Sequence, residues 1–189
     1  MNNRNLAFAL TMLFLVSLTS PLAQTDLKQE SELMPTSARS TACSGDVCLN
    51  EVIPNPGGAD DAAWPNGEWF ELFNNGTTDV DLSGWKAVNS GSKTLNFDAN
   101  TIVGYQAGNA SSWTISPGDY IVIARNGDSN FYLTNTGMTL TLYDQNNNNV
   151  HEATWTSATS GKSYEQDPTN ATANWIKTGS PSPGQANSA

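Results

Sequence analysis

The chain lacks most of the residues on which enzyme active sites and metal centres depend. Its 189 residues include one histidine and two cysteines, and they contain no HExxH motif, no glycine-rich phosphate loop and no Gly-Xaa-Ser-Xaa-Gly elbow. A nucleophilic triad needs a histidine base, and His151 stands alone within a predicted strand. Two acids would suffice for glycosidase chemistry, but a chain this short has little room for a substrate cleft. We therefore expect a protein that is not an enzyme.

Basic side chains are also scarce. Eight Lys and Arg stand against eighteen Asp and Glu, which gives a formal net charge of −10. The basic residues from Cys43 onward are scattered along the chain: Lys86, Lys93, Arg125, Lys162 and Lys177. Phosphate backbones are bound chiefly through clusters of Lys and Arg. The composition therefore argues against nucleic acid as a partner and favours a self-repelling, soluble surface or a cation partner.

One long apolar run occurs, near the N-terminus. It extends from Leu6 to Leu18, follows Arg4, and is interrupted only by Thr11 and Ser17. Such a run is too short to span a bilayer but is typical of a secretory signal. We expect residues 1–23 to be a signal peptide cleaved near Ala23, which would leave no membrane span in a secreted or surface protein. An uncleaved anchor helix is the alternative.

The two cysteines, Cys43 and Cys48, follow residues 24–42, which have no apolar periodicity and are predicted to be a flexible linker. Export favours a disulfide between them, closing a small loop. A metal site is not expected, because there is no second cysteine pair and His151 is distant in sequence.

From residue 43 to residue 189 the sequence predicts one all-β domain. Short runs of β-branched and aromatic residues alternate with Asn, Asp, Gly and Pro. The predicted strands are Val47–Ile53, Glu68–Asn74, Gly84–Asn89, Thr94–Asp98, Tyr120–Arg125, Thr139–Asp144 and Val150–Trp155. Seven or eight short strands without a helix favour an immunoglobulin-like β-sandwich. Periodicity alone leaves a jelly roll or a barrel open.

An ordered series of motifs then suggests a family. The motifs are Asn50-Glu51-Val52 with Pro54-Asn55-Pro56, Glu68 to Asn74, Asp81 to Trp85, Ser116 to Ile123, Asn135-Thr136-Gly137, Leu140 to Asp144, Gly161 to Glu165 and Ser182 to Asn187. In this order and spacing the chain resembles a lamin tail domain of the prokaryotic, secreted type. Within the Asp81 to Trp85 motif, we expect Leu82 and Trp85 to face the core and Gly84 to adopt a positive φ.

The resemblance implies an immunoglobulin-like sandwich found on exported prokaryotic proteins, often beside nucleases, phosphoesterases or adhesion modules. In nuclear lamins the same fold binds protein partners and chromatin. No coiled-coil heptads precede the domain here and no companion enzyme is present, so filament assembly and catalysis do not carry over. What remains is a recognition module for an extracellular protein or a cell-surface component.

A carbohydrate-binding module is the rival hypothesis. Trp64, Trp113 and Trp155 lie in or near predicted turns, where they could form a platform on which sugars stack. The alternative is that they are partly buried residues at strand ends, which is commoner for tryptophan. Binding of a glycan that is lost in Trp113→Ala would favour the carbohydrate hypothesis.

Glu51 and Glu71 are the candidate binding residues that match the family motifs. Both alternate outward if Val52 and Phe70 face the core, and paired side chains on neighbouring strands lie about 4.5–5.5 Å apart at Cβ. Two carboxylates this close repel each other. The repulsion should raise the pKa of at least one of them unless Lys86, Lys93, backbone donors or a divalent ion offsets it. We therefore predict a shared polar site flanked by Trp69 and Phe73. The alternative is that both project into water.

No cofactor is expected, with calcium as the one candidate. Asp144, Asn146 and Asn148 follow the odd-position rhythm of a calcium loop. The match ends there, because Asn149 replaces the invariant glycine and no glutamate lies at the twelfth position. Glycosylation sequons begin at Asn75, Asn109 and Asn170, and we expect all three in exposed loops.

Overall fold

The computed structural model describes residues 43, 45–103, 113–166, 175–177 and 180–187. These residues form strands and no helix, so none of them supplies a helix that could cross a membrane. The strands are β1 (Val47–Asn55), β2 (Trp69–Asn74), β3 (Val80–Asp81), β4 (Lys86–Asn89), β5 (Thr94–Asn96), β6 (Ile102–Val103), β7 (Thr114–Ile115), β8 (Tyr120–Ala124), β9 (Met138–Tyr143), β10 (Asn149–Trp155), β11 (Lys162–Gln166) and β12 (Trp175–Lys177). The signal peptide and linker predicted for residues 1–42 lie outside the described residues.

The strands are arranged in antiparallel sheets. A six-stranded sheet has the order β12-β11-β1-β2-β8-β6, a four-stranded sheet has the order β10-β9-β4-β5, and β3 pairs with β7. This arrangement confirms the predicted all-β, immunoglobulin-like sandwich. All seven predicted strands are present, but the sequence pattern misses β3, β6, β7, β11 and β12. Three of these have only two residues, too few to show an alternating pattern.

The main core lies between the two larger sheets. In β9, Leu140 and Leu142 are buried while Thr139 and Thr141 are half-buried, as the alternation predicts. From the six-stranded sheet, Phe70 and Leu72 of β2 belong to the same apolar cluster. Leu82 and Trp85 pack there too, and Gly84 between them has a φ of +78°. The predicted roles of this turn motif are confirmed.

The outer face of the six-stranded sheet is buried as well. Antiparallel sheets commonly leave one face to solvent, but here Ile53, Trp69, Val122 and Ala124 form a second apolar cluster. Trp64 packs against this cluster, with its ring edge-on to Trp69 at 5.4 Å between centroids. Polar groups placed on this face are therefore removed from water and need partners within the protein.

The predicted disulfide between Cys43 and Cys48 is present, with the two Cα atoms 5.8 Å apart. It ties Cys43, four residues before β1, to Cys48, the second residue of that strand. The closed loop is short, so the chain-entropy model gives it about 2 kcal/mol of stability.

Replacing both cysteines with serine is therefore expected to lower the free energy of unfolding by about 2 kcal/mol. Urea denaturation of the variant beside the oxidised wild type measures this difference. Reducing the wild type with a thiol reagent should shift its midpoint to that of the variant. A variant as stable as the wild type would contradict the estimate.

Candidate functional site

Three glutamates lie in register across neighbouring strands of the six-stranded sheet. Glu51 of β1 pairs with Glu71 of β2 on one side and with Glu165 of β11 on the other. All three are fully buried. A register shift lies between Leu49 and Glu51, so Asn50 is an extra residue that breaks the alternation. The predicted pair is thus part of a row of three, which we call the glutamate row.

Residues 180–187, the C-terminal strap, supply backbone hydrogen-bond donors to two members of this row, Glu51 and Glu71. The backbone N–H of Ser182 donates to both carboxylate oxygens of Glu51 at 3.0 Å. The backbone N–H of Gly184 donates to Oε2 of Glu71, and the Asn50 side-chain amide donates to Oε1. The two predicted acids therefore share one partner, the strap segment from Ser182 to Gly184.

Burial raises the pKa of Glu51 to about 7, against the opposing effect of hydrogen bonds from Ser163 and Ser182. The negative charge of Glu165 raises this pKa further. The alternative in which both predicted acids project into water is wrong. Of the expected sources of relief, backbone donors contact both predicted acids, whereas the Lys86 ammonium group donates to Asn147 and lies over the Tyr143 ring.

The glutamate row does not have the geometry of a metal centre. Among the described residues, one group of three His, Cys, Asp or Glu side chains brings its ligand atoms within 4.8 Å of one another, and no member of the row belongs to it. A divalent ion needs several oxygens about 2.3–2.6 Å from one point. The row instead fixes the strap to the sheet, and Glu51, Glu71 and Trp69 are closed to an outside ligand.

The group that does converge consists of Cys43, Cys48 and His151. The spacing in sequence gives no sign of it, because the packing of β10 beside β1 brings His151 to the cysteines. The sulfurs form the disulfide, Nδ1 of His151 accepts the Leu49 N–H at 3.1 Å, and Nε2 meets the Gln166 amide at 3.4 Å. All these ligand atoms are thus engaged within the protein.

An open cleft lies where the start of β1, β3 and the β9–β10 hairpin meet. Its lining consists of Gly45, Asp46, Val47, Asp79, Val80, Asp81, Trp85, Asp144, Gln145, Asn148, Asn149 and Val150. Asp46, Asp79 and Asp81 are exposed, and none of the described lining residues is Lys or Arg. Hydrogen bonds from Ser83 lower the pKa of Asp81, which keeps it anionic. We call this surface the acidic cleft.

The calcium candidates lie in the turn of the β9–β10 hairpin, where they have a structural role. Oδ1 of Asp144 accepts the backbone N–H groups of Asn146 and Asn148, each at 2.8 Å. Oδ2 accepts the Asn148 side-chain amide, also at 2.8 Å. Partial burial acts to raise the pKa of Asp144, but the bonds from Asn148 and Asn146 outweigh it and lower the value. Asp144, Asn146 and Asn148 thus remain an untested candidate site for calcium.

Excess calcium or EDTA is therefore expected to leave the melting temperature unchanged, because the Asp144 oxygens already accept hydrogen bonds from the turn. Asp144→Ala should lower the free energy of unfolding by about 1 kcal/mol through loss of these bonds. Differential scanning calorimetry with and without calcium checks both statements. An increase in melting temperature that needs calcium and is abolished in Asp144→Ala would establish the ion site instead.

The acidic cleft and the pairing of Glu51 with Glu71 both lie within a stretch that a family model recognises. The model of the Lamin Tail Domain matches residues 40–157. The chain belongs to the lamin tail domain family. Lamin tail domains are non-catalytic, immunoglobulin-like modules, which agrees with the architecture described above. No curated protein matches the chain.

The tryptophans of this lamin tail domain do not form one platform. Trp155 is 3% exposed, and its Nε1 donates to the Thr134 carbonyl at 2.8 Å. Trp113 packs against the core between the sheets, whereas Trp64 packs against the outer cluster. The three residues are thus divided between the two faces of the six-stranded sheet, and the predicted shared platform is wrong.

Trp64 nevertheless lines a second cleft of the lamin tail domain, together with Ala63, Asp98, Asn100, Thr101, Val103, Arg125, Asn126, Gly127, Asp128, Ser129 and Asn130. Asn126 links residues that line this cleft. Its Oδ1 accepts the backbone N–H of Trp64, and its side-chain amide donates to the Asn100 carbonyl. Arg125 of this lining pairs with the buried Glu68, which also accepts the backbone N–H of Leu133, each at 3.0 Å. Burial outweighs these contacts and raises the pKa of Glu68 to about 7.

Of the three sequon asparagines, Asn75 is exposed in the loop after β2, as expected. Asn109 and Asn170 lie outside the described residues.

Proposed function

We propose that this lamin tail domain is an exported, non-catalytic recognition module that binds an extracellular protein or a cell-surface component through the acidic cleft. The observation that carries the proposal is an open, concave surface with four aspartates, Asp46, Asp79, Asp81 and Asp144, and no basic side chain in its described lining. Such a surface attracts and orients a complementary partner.

The buried acids support a binding role over a catalytic one. A general acid or base must reach the proton that it transfers. Glu51 and Glu71 bond the strap, and Glu68 bonds Arg125 and Leu133 beneath the surface. The raised pKa values of Glu51 and Glu68 therefore follow from burial within the framework of the protein. Export is proposed from the signal predicted for residues 1–23.

Capture of partners from the host's culture fluid and cell surface tests the proposal. The bait is the exported chain, either wild type or carrying Asp46→Asn with Asp79→Asn, two exposed positions. Asp119→Asn is the matched control, because Asp119 is exposed and does not line the acidic cleft. We expect partners that the wild type and Asp119→Asn retain and the cleft variant loses. Equal retention by all three baits would refute the site.

The second cleft favours a glycan as the other candidate ligand. It combines the half-buried Trp64 ring with amide and carboxylate groups of Asn100, Asn126 and Asp128, which are the groups that sugars contact. A glycan array with Trp64→Ala and Trp113→Ala tests this. Binding lost in Trp64→Ala and kept in Trp113→Ala supports a glycan site, and an array without signal dismisses it.

A further inference from the structure

We infer that reduction of the disulfide turns Cys43, Cys48 and His151 into a zinc-binding site. The inference goes beyond the proposed function and is independent of the acidic cleft. The ligand atoms of the three residues already lie together in the folded protein, within 4.8 Å of one another. Two cysteine sulfurs and one histidine nitrogen are a ligand set that zinc takes in proteins, with a fourth position left for water.

The fold, rather than a local motif, holds these ligands at one point. Cys48 is the second residue of β1, and His151 lies in β10. Nδ1 of His151 accepts the backbone N–H of Leu49, the residue that follows Cys48. Cys43 precedes β1, so once the S–S bond is broken its sulfur can move away from that of Cys48 without breaking the backbone pairs of the strand. The three ligands can therefore reach tetrahedral spacing.

The surroundings of His151 match those of a zinc-bound histidine. Such a histidine gives the lone pair of one nitrogen to the metal and donates the N–H of the other to an oxygen acceptor. Because Nδ1 is an acceptor here, the ring proton lies on Nε2, which is 3.4 Å from the side-chain amide of Gln166. Oε1 of Gln166 is buried and has no donor among the described residues. With its amide turned to place Oε1 at Nε2, Gln166 holds the imidazole in the tautomer that zinc needs.

Zinc at Nδ1 displaces one hydrogen bond, the bond from the Leu49 N–H. A hydrogen bond between neutral groups contributes little net stability beside the binding of zinc by thiolates and imidazole. Cys43 is half-buried, whereas Cys48 and His151 are buried. A reductant and then the ion therefore reach the group from the side of Cys43.

The chemistry requires a reductant, and a small-molecule thiol supplies it. Two thiol molecules provide two electrons that break the S–S bond and two protons that complete the thiols of Cys43 and Cys48, and they leave as one disulfide. Zinc then replaces both cysteine protons, so about two protons are released for each ion bound. In the oxidised chain the sulfurs carry no thiolate charge and do not bind zinc.

Isothermal titration with zinc chloride tests the inference on the exported chain, reduced with a phosphine in the absence of oxygen. We expect one zinc ion per reduced wild-type chain, and about two protons released per ion, measured from the dependence of the heat on the buffer. Zinc should also raise the melting temperature of the reduced chain. The oxidised wild type should show none of these effects. The exposed change Asp119→Asn should leave zinc binding unaltered, and Cys43→Ser with Cys48→Ser should abolish it.

His151→Asn and Gln166→Leu separate ligation from a structural role. Oδ1 of the asparagine can still accept the Leu49 N–H, so His151→Asn keeps the contact between β10 and β1 and removes the nitrogen ligand. Gln166→Leu should weaken zinc binding to the reduced chain by about tenfold, and His151→Asn should weaken it further. Without zinc, the melting temperature of reduced His151→Asn should stay close to that of the reduced wild type.

Four outcomes overturn the inference. Zinc that binds the oxidised chain as tightly as the reduced one would exclude the thiolates as ligands. Equal binding to the reduced wild type and to Cys43→Ser with Cys48→Ser would assign the ion to the acidic surface. Full zinc affinity in reduced His151→Asn would remove the histidine from the site. A reduced wild-type chain that takes up no zinc ends the inference, and the capture of partners through the acidic cleft is decided separately.

Discussion

Glu71→Ala is expected to lower the free energy of unfolding by about 3 kcal/mol. The substitution removes the acceptor for two donors, the Gly184 N–H and the Asn50 amide. Each buried group left without a partner costs roughly 1–3 kcal/mol, and the missing side chain also leaves a cavity. Equilibrium denaturation in urea measures the loss. Because Gly184 belongs to the strap, hydrogen exchange at its amide should accelerate in the variant.

Glu71→Gln is the matched control for charge. Its amide oxygen can still accept one of the two hydrogen bonds, so the expected loss is smaller, about 1–2 kcal/mol. Asp119→Asn, an exposed change, should leave stability within about 0.5 kcal/mol of the wild type. A Glu71→Ala protein as stable as Asp119→Asn would show that the strap does not depend on the glutamate row.

Stability should decrease as the pH rises from 5 to 8. Burial raises the pKa of Glu51 from 4.5 to about 7, so between these values the folded protein holds a proton that the unfolded chain has released. The stabilisation is therefore present near pH 5, is lost as the pH passes 7, and amounts to about 2 kcal/mol. The pKa of Glu68 is also raised to about 7 and acts in the same direction.

Glu51→Gln isolates the contribution of Glu51. The glutamine is neutral at every pH, so the decrease between pH 5 and pH 8 should be about 2 kcal/mol smaller in the variant. Any other group that titrates in this range affects both proteins alike. Urea denaturation of both at pH 5, 6, 7 and 8 gives the comparison. Parallel pH profiles would mean that Glu51 has the same pKa in the folded and unfolded states.

The elements that the sequence predicts are those with a local cause. The alternation of apolar and polar residues along β9 predicts that the strand face carrying Leu140 and Leu142 is buried, because the side-chain period of a strand is two. The turn around Gly84 is predicted because a turn position with a positive φ favours glycine, and the sequence has a glycine there. Fold class and family follow from the series of such signals, and both are confirmed.

The elements that it misses depend on long-range pairing. In β11 the buried residues include Ser163, Glu165 and Gln166, so no apolar pattern marks the strand. Glu165 joins the glutamate row through its pairing with Glu51, and the strap meets Glu51 and Glu71 from over a hundred residues away in sequence. Register between distant segments is set by tertiary packing, which single-sequence periodicity does not contain.

The position of β11 determines where the domain can be cut. The family match ends at residue 157, yet β11 lies between β1 and β12 inside the six-stranded sheet. A chain truncated at residue 157 would leave the long strand β1 as a bare edge, with unpaired backbone groups beside uncovered glutamates. Exposed edges of this kind template aggregation. The smallest soluble unit of this protein should therefore extend through Asn187, and a fusion partner joined before that residue would promote self-association.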